Sequence, residues 1–377
     1  MDAFYASVEL LRYPELRGKP LVIGGRRRGA DASALRTLRD YKGRGVITTS
    51  TYEARKFGIF SGMGLMKAAR LAPDTILLPA DFDEYRRYSR LFKDAVRAIA
   101  PEIQDRGIDE IYIDLTDLVV TNAAGTALDN WNRAWDIGLE IQQAVYDATG
   151  LSCSVGITPN KLLAKIASDL QKPAGITIIR EADIPARIWP LPVRKINGIG
   201  PKSGAKLEAL GIRTIGDLAS TSRESLVQHF GENVGTWMLD AAHGRDDREV
   251  VTYSEPKSIS RETTFENDLH PRQDREELSR IFTELCARVA GDLERKGYVG
   301  RTIGIKLRYE NFKTVTRDLT LAAPTADAIV IRRAAGACLK RVPLDHRIRL
   351  LGVRVSALIR PGAPSAHDVQ ASGPMLF

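Results

Sequence analysis

Two adjacent acids, Asp109 and Glu110, follow Gly107 in R-G-I-D-E-I-Y-I-D. Neighbouring side chains on a strand point to opposite faces, so consecutive carboxylates converge only at a strand end or turn. Gly107 permits such a bend. Converging carboxylates with no His or Cys beside them suit a hard divalent ion, above all magnesium with substrate phosphates. The other reading is a hairpin tip with two solvated acids. In Y-E-A-R-K-F-G-I, Tyr52 and Arg55 share one side of a helix. Arg55 can fork onto a phosphate with the Tyr52 hydroxyl beside it, or the pair can mark a solvated helix end. Lys172 stands before Pro173. It can complement a helix C-terminus or reach a phosphate as a point charge. Asp2, Phe4 and Tyr5 put an acid and two aromatics in the opening M-D-A-F-Y-A-S-V-E-L.

The elements around these residues follow from periodicity. Helices are expected over Ala3 to about Leu11, Ser61–Ala72, Phe82–Ile99 and near Trp131–Thr149. Strands are expected in K-P-L-V-I-G-G, V-I-T-T-S, I-D-E-I-Y-I-D-L and S-C-S-V-G-I. In T-P-N-K-L-L-A-K-I-A-S-D-L, Thr158 can cap a helix with Pro159 in its first turn, and Leu162, Leu163, Ile166 and Leu170 form its buried stripe. Strands alternating with helices imply an α/β or α+β body to about residue 180. The basic stretch at about 26–45 reads as an inserted surface loop or short helix.

Residues 184–244 read as compact and helical. Within them I-N-G-I-G-P-K-S-G-A-K carries a helix-hairpin-helix signature. There Gly198 and Gly200 would let backbone N–H groups approach a DNA phosphate, and Lys202 would add charge. The other reading is a plain helical turn. Further on, R-T-I-G-I-K-L-R-Y alternates, with Ile303, Ile305, Leu307 and Tyr309 on one face and Lys306 and Arg308 on the other. L-G-V-R-V-S-A repeats the pattern with Arg354 outward. Helices near Glu276–Lys296 and Ala326–Lys340 complete a small α+β domain whose sheet is expected to show a basic face. The Pro/Gly/Ala/Ser-rich tail from Pro361 reads as disordered.

The chain has 377 residues, enough for two to four domains, and 44% hydrophobic residues. No apolar run reaches the ~20 residues of a membrane helix, and no secretory signal opens the sequence. Three scattered cysteines, Cys153, Cys286 and Cys338, fit a reducing compartment without disulfides or zinc spacing. A cytoplasmic protein is expected. The net charge is +8, and Lys257–Arg360 alone holds 21 Lys and Arg against 13 Asp and Glu. A basic domain on a near-neutral body points to a polyanion, most often nucleic acid.

Six stretches in order resemble the Y-family, lesion-bypass DNA polymerases, in particular the bacterial DNA polymerase IV branch: M-D-A-F-Y-A-S-V-E, T-Y-E-A-R-K-F-G-I, I-D-E-I-Y-I-D, V-G-I-T-P-N-K-L-L-A-K-I-A-S-D-L-Q-K-P-A-G-I, I-N-G-I-G-P-K and K-S-I-S-R-E-T-T-F-E-N-D-L. The resemblance implies an α+β right hand plus a little finger. Residues 1–3 and 81–179 would be the palm, 4–80 the fingers, 180–246 the thumb, 247–256 a linker, 257–360 the little finger and 361–377 a tail.

It also implies template-directed, low-fidelity DNA synthesis by phosphoryl transfer with two magnesium ions ~4 Å apart. Asp109 matches a metal ligand, Glu110 the catalytic acid beside it, and Asp2 a secondary acid of the metal motif. Tyr5 matches the steric gate against ribose, with Phe4 beneath the sugar. Tyr52, Arg55 and Lys172 match the residues that bind the incoming deoxynucleoside triphosphate. Lys257, Arg261, Lys306, Arg308 and Arg354 match the face that grips primer-template DNA. Met375, Leu376 and Phe377 resemble a sliding-clamp-binding peptide. A monomer in the bacterial cytoplasm, at the nucleoid, is expected.

Three departures accompany the match. The family's first metal-binding Asp has no counterpart in the sequence, which offers a second expectation: a catalytically impaired DNA- and clamp-binding relative. Gly107 replaces the usual Ser before the acids, and the 26–45 stretch is longer than in many relatives.

Overall fold

The computed structural model describes residues 1–25, 36–119 and 127–361. The chain divides into two compact units, Met1–Tyr253 and Ser254–Phe377. The division falls inside the 247–256 stretch expected to be a linker. The start of that stretch is nevertheless held to the first unit: Lys161 Nζ donates to the Glu249 carbonyl, and Val251 N to Gln104 Oε1 at 3.3 Å.

In the first unit, helix α1 (Phe4–Arg12) leads to strand β1 (Leu21–Gly24). Strands β2 (Arg36–Thr37), β3 (Ile47–Ser50) and β4 (Ile76–Leu78) join it in a sheet of order β2-β4-β1-β3, with helices α2 (Tyr52–Arg55) and α3 (Leu65–Leu71) between β3 and β4. All four residues of β1 are buried, which a run of Leu, Val, Ile and Gly permits. The basic stretch is not wholly surface. Arg36 and Thr37 pair with β4, and Leu38 is fully buried in the core with Val22 and Ile47. Residues 26–35 lie outside the described residues.

Helix α4 (Phe82–Ile99) matches its expected span and carries an Asp81 cap that accepts from Glu84 N. It packs with α6 (Ala127–Thr149) over two short sheets. One pairs β5 (Ile103–Asp105) antiparallel with β6 (Ile111–Ile113), ahead of the short helix α5 (Thr116–Val119). The other pairs β7 (Val155–Ile157) parallel with β8 (Ile176–Ile178). Between β7 and β8 lies α7 (Lys161–Ala167). Its cap is Asn160, not Thr158: the Asn160 side chain accepts from Leu163 N, while Thr158 Oγ1 donates to the Asn160 carbonyl. Leu162, Leu163 and Ile166 are buried as expected.

Helices α8 (Pro201–Ala209), α9 (Ile215–Ala219), α10 (Arg223–Phe230) and α11 (Glu232–Ala242) close over a core of Ile196, Leu207, Ile215, Leu218 and Met238. The core continues onto Leu163 and Ile166 of α7, which ties this helical part to the strands.

The second unit is a four-stranded antiparallel sheet of order β11-β10-β12-β9, from β9 (Ser258–Leu269), β10 (Val299–Tyr309), β11 (Thr314–Thr325) and β12 (Ile348–Ile359). Helices α12 (Arg275–Lys296) and α13 (Ala328–Leu339) cover one face. Ile303, Ile305, Leu307 and Tyr309 point to those helices, as the alternation predicts. The tail beyond residue 361 lies outside the described residues.

Candidate active site

The strand expected at I-D-E-I-Y-I-D-L is shorter than the sequence suggests. Only Ile111–Ile113 pairs, and Asp109 and Glu110 stand in the turn before it. Gly107 takes φ 126°, a region that disfavours a Cβ. The buried Lys93 of α4 fastens this turn, its ammonium reaching Asp105 Oδ1 at 2.5 Å and the Gly107 carbonyl at 2.6 Å. The two carboxylates therefore sit on a rigid tip, free of the strand alternation that would separate them.

Asp2 does not join them. It is buried, and its carboxylate accepts from Ser152 Oγ (3.0 Å), Ser154 Oγ (2.7 Å) and Ala174 N (2.9 Å). Ala174, held by its own bond to Asp2, is in a left-handed conformation, φ 59°. Asp2 thus clamps the chain after α7 to the start of β7, a structural use in place of the metal ligation expected for it. Beside it the Met1 amino group donates to the Asp109 carbonyl at 2.9 Å.

Glu110 leads into a row of alternating charges. Lys165 Nζ lies 2.5 Å from Glu110 Oε1 and 3.6 Å from Asp169 Oδ2. Asp169 Oδ1 lies 2.9 Å from Lys172 Nζ. Burial opposes both inner charges, but the partners outweigh it. The ammonium of Lys165 is held above its usual range by Glu110 and Asp169. The carboxylate of Asp169 is held below its own by Lys172 and Lys165. Of this row the sequence pointed to Glu110 and Lys172, and not to Lys165 or Asp169. The i, i+4 spacing of Lys165, near the end of α7, and Asp169, in the turn after it, was the available signal, and it reads equally as a solvated face.

Tyr52 and Arg55 do share one side of α2, the guanidinium 4.7 Å from the ring centroid. Thr51 caps the helix and also accepts from Leu21 N, which anchors it to β1. The Tyr52 hydroxyl is buried and has no hydrogen-bond partner among the described residues. Burial, then the charge of Asp2, raises its pKa, with Asp169 adding and Arg55 opposing. The hydroxyl is therefore a buried donor within reach of the charges of Asp2, Asp169 and Arg55.

Tyr5 stacks on Tyr85 with centroids 4.3 Å apart and meets Phe82 edge-on at 6.0 Å. Burial and then the charge of Asp109 raise its pKa, which places the phenol beside the turn acids. Phe4, expected under a sugar, is 2% exposed and packs edge-on against Phe92. It is core, supporting Tyr5 from behind.

The donor set fits a hard cation in a limited way. No cluster of three His, Cys, Asp or Glu suited to a metal occurs among the described residues. Two turn carboxylates alone match the mode in which magnesium takes one or two protein carboxylates and completes its shell with other oxygens. A cavity of about 650 Å³ opens between Asp109, Glu110, Lys165 and Lys172 on one side and Ile113, Ile141 and Val155 on another.

Two further surfaces carry expected site residues. Gly200 caps α8, with Pro201 first in the helix and Lys202 next. A side chain at Gly200 would meet nothing within 4 Å, so its backbone is approachable, whereas one at Gly198 (φ 115°) would meet the Trp237 ring at 2.7 Å. In the second unit, Lys306, Arg308 and Arg354 lie on the sheet face away from the helices, and Lys257 is exposed ahead of β9. That face is not simply basic: Lys306 pairs with Glu262 at 2.8 Å and Arg354 with Asp318 at 2.9 Å. Arg261 belongs to the opposite face, bidentate on Asp292 of α12 at 2.5 and 2.8 Å.

Residues 1–169 match the impB/mucB/samB family, 256–372 its C-terminal domain, and 191–245 the DNA polymerase eta/Rev1 helix-hairpin-helix motif. The chain is 38% identical over 360 residues to a DNA polymerase IV of Alkalilimnicola ehrlichii, covering 95% of this chain and 94% of that one. It is likewise 38% identical to a DNA polymerase IV of Methanoculleus marisnigri, covering 95% and 92%. A solved Y-family DNA polymerase chimera superposes with a TM-score of 0.78 at 25% identity, covering 95% of this chain and 97% of the other. The chain belongs to the impB/mucB/samB family, the Y-family DNA polymerases.

Proposed function

We propose that this DNA-directed DNA polymerase performs error-prone translesion synthesis, adding deoxynucleotides to a primer 3′-end with magnesium held at Asp109 and Glu110. The observation that carries the reading is the row Glu110–Lys165–Asp169–Lys172 with the partnerless Tyr52 hydroxyl beside it. Such a row leads from turn carboxylates to cations that can hold a triphosphate.

Magnesium, when bound, would supply charge stabilisation to the transferring phosphoryl group, two ions being the usual number. Tyr52 and Arg55 orient the triphosphate by hydrogen bonding, and Lys172 neutralises it. Lys165 holds Glu110 in place. The Tyr5 ring, braced by Tyr85 and Phe82, limits room beside the sugar and favours deoxyribose. Residues 1–3 and 81–179 act as palm, 4–80 as fingers, 180–246 as thumb and 257–360 as little finger. Gly200, Lys202 and the open sheet face with Lys306, Arg308 and Arg354 meet the DNA backbone, independently of base sequence. Met375, Leu376 and Phe377 dock a sliding clamp.

Primer extension on an abasic template with magnesium tests the reading. The parent should add nucleotides opposite and past the lesion. Asp109→Ala should lose at least a hundredfold in rate while binding primer-template normally. Equal extension by parent and variant would remove the assigned site.

A further inference from the structure

The open face of the second sheet holds two ion pairs built in one way. Gly304 of β10 stands opposite Asp318 of β11 on one side and Arg354 of β12 on the other. Arg354 Nη2 donates to Asp318 Oδ1 at 2.9 Å, and a Cβ on Gly304 would stand 2.0 Å from that oxygen. Gly352 of β12 stands opposite Lys306 of β10 and Glu262 of β9. Lys306 Nζ donates to Glu262 Oε2 at 2.8 Å, and a Cβ on Gly352 would stand 2.9 Å from Glu262 Cβ. In each case the side chains come from strands two apart and meet across a glycine in the strand between. Opposed neighbours lie about 5 Å apart across a sheet, so this second-neighbour pair closes only where the middle strand offers no side chain.

The consequence is electrostatic. Both of these cations lie along the sheet against carboxylates, so an approaching polyanion meets a face less positive than its Lys and Arg side chains alone would make it, with Arg308 turned to the Thr314 hydroxyl. Ser260, Thr302, Thr316 and Thr320 add hydroxyls to that face. Exposed pairs of this kind are weak and cost little to open. Phosphates can therefore take over the cations, leaving the acids to solvent.

We propose that Glu262 and Asp318 are competitors for DNA phosphate: they park Lys306 and Arg354 in the absence of DNA and lower the protein's affinity for the backbone. This rests on the reading that the open sheet face meets DNA. The pairs then keep the grip weak and readily released without removing the cations that make it. The ligand is duplex DNA backbone, recognised as a ladder of phosphates.

Fluorescence anisotropy with a primer-template duplex, at several salt concentrations, tests this on the full chain. Asp318→Asn and Glu262→Gln should each tighten binding about two- to fivefold at low salt. Each should also steepen the dependence of log Kd on log salt by up to about one unit, the signature of one more phosphate neutralised. Gly304→Ala separates pairing from net charge, because it alters no charge yet forces Asp318 off Arg354; it should act like Asp318→Asn. A thermal melt checks each variant's fold. Acid and glycine variants that bind no tighter than the parent, while Arg354→Ala binds more weakly, would overturn the proposal and leave the DNA-facing reading intact. If Arg354→Ala and Lys306→Ala also bind like the parent, the face does not meet DNA and both fall.

Discussion

At the scale of single residues the Tyr52 hydroxyl is the most informative atom. A buried hydroxyl without a partner costs stability, roughly 1–3 kcal/mol. The chain keeps it between the charges of Asp2 and Asp169, under the Arg55 guanidinium. Tyr52→Phe removes the orphaned donor and leaves the ring. The expected result is a melting temperature equal to or above the parent's, with the KM for incoming deoxynucleotide raised about tenfold or more, the worth of a hydrogen bond to a charged group. A variant that melts lower with unchanged KM would mean the hydroxyl serves the fold. Tyr5 gives a second test at this scale. Tyr5→Ala opens the space bounded by Tyr85 and Phe82, so ribonucleotide insertion relative to deoxynucleotide should rise by at least tenfold in single-nucleotide assays. An unchanged ratio would assign Tyr5 to packing alone.

At the scale of elements, Asp292 joins α12 to β9. Its carboxylate is buried under Arg261 and also contacts Arg295. The hydrogen bond from Arg261 and then that from Arg295, against the cost of burial, pull its pKa down to about 2. A depressed carboxyl stabilises the fold above its unfolded pKa near 4, and that contribution disappears as pH falls toward 2. With both guanidinium groups partly exposed, solvent screening leaves the contribution below the ~2 kcal/mol of the full shift. Asp292→Asn should therefore lower the urea midpoint of the second unit near neutral pH, and the gap from the parent should close between about pH 4 and pH 2. A gap independent of pH would mean packing, not charge, carries the contact. Arg261 also shows where sequence reading stops. The alternation of β10 was legible because Ile and Leu report the buried face directly. In β9, Arg261 follows the same parity onto the helix side, but an Arg there looks identical in sequence to one facing solvent. Long-range partners were equally hidden. Asp2 is sealed by Ser152, Ser154 and Ala174, about 150 and 170 positions away, and nothing local marks those residues. The acids Asp109 and Glu110 were legible because Gly107 signals the turn two and three residues before them. The Asn160 cap was misplaced by two positions, since Thr158 and Asn160 are both good caps and only backbone geometry chooses between them.

At the scale of the molecule, the chain reads as two bodies of different charge. Each has its own core, with Phe282, Val289, Ile303 and Val353 at the centre of the second. The first unit is fastened up to Val251 by Gln104, and in the second Glu255 pairs with Arg360 at 3.2 Å. Between those anchors lie Thr252, Tyr253 and Ser254, all exposed, with Tyr253 at 63%. Exposed, irregular backbone is where proteases cut first, because the chain must unfold locally to enter their sites. Brief chymotrypsin treatment should cut at Tyr253 and give Met1–Tyr253 and Ser254–Phe377, identifiable by mass spectrometry. The main competitor is Phe312, also 63% exposed, which lies in the turn joining β10 to β11 and is held by neighbouring backbone hydrogen bonds. A first cut there would show that the hairpin opens before the joint does. The separated pieces then test the charge argument. Most of the excess of Lys and Arg lies in the second unit, so the first fragment should bind primer-template more weakly than the whole chain, with a shallower dependence of log Kd on log salt. An unchanged salt slope would place the phosphate contacts in the first unit, at Gly200 and Lys202, and reduce the basic second unit to a bystander in DNA binding.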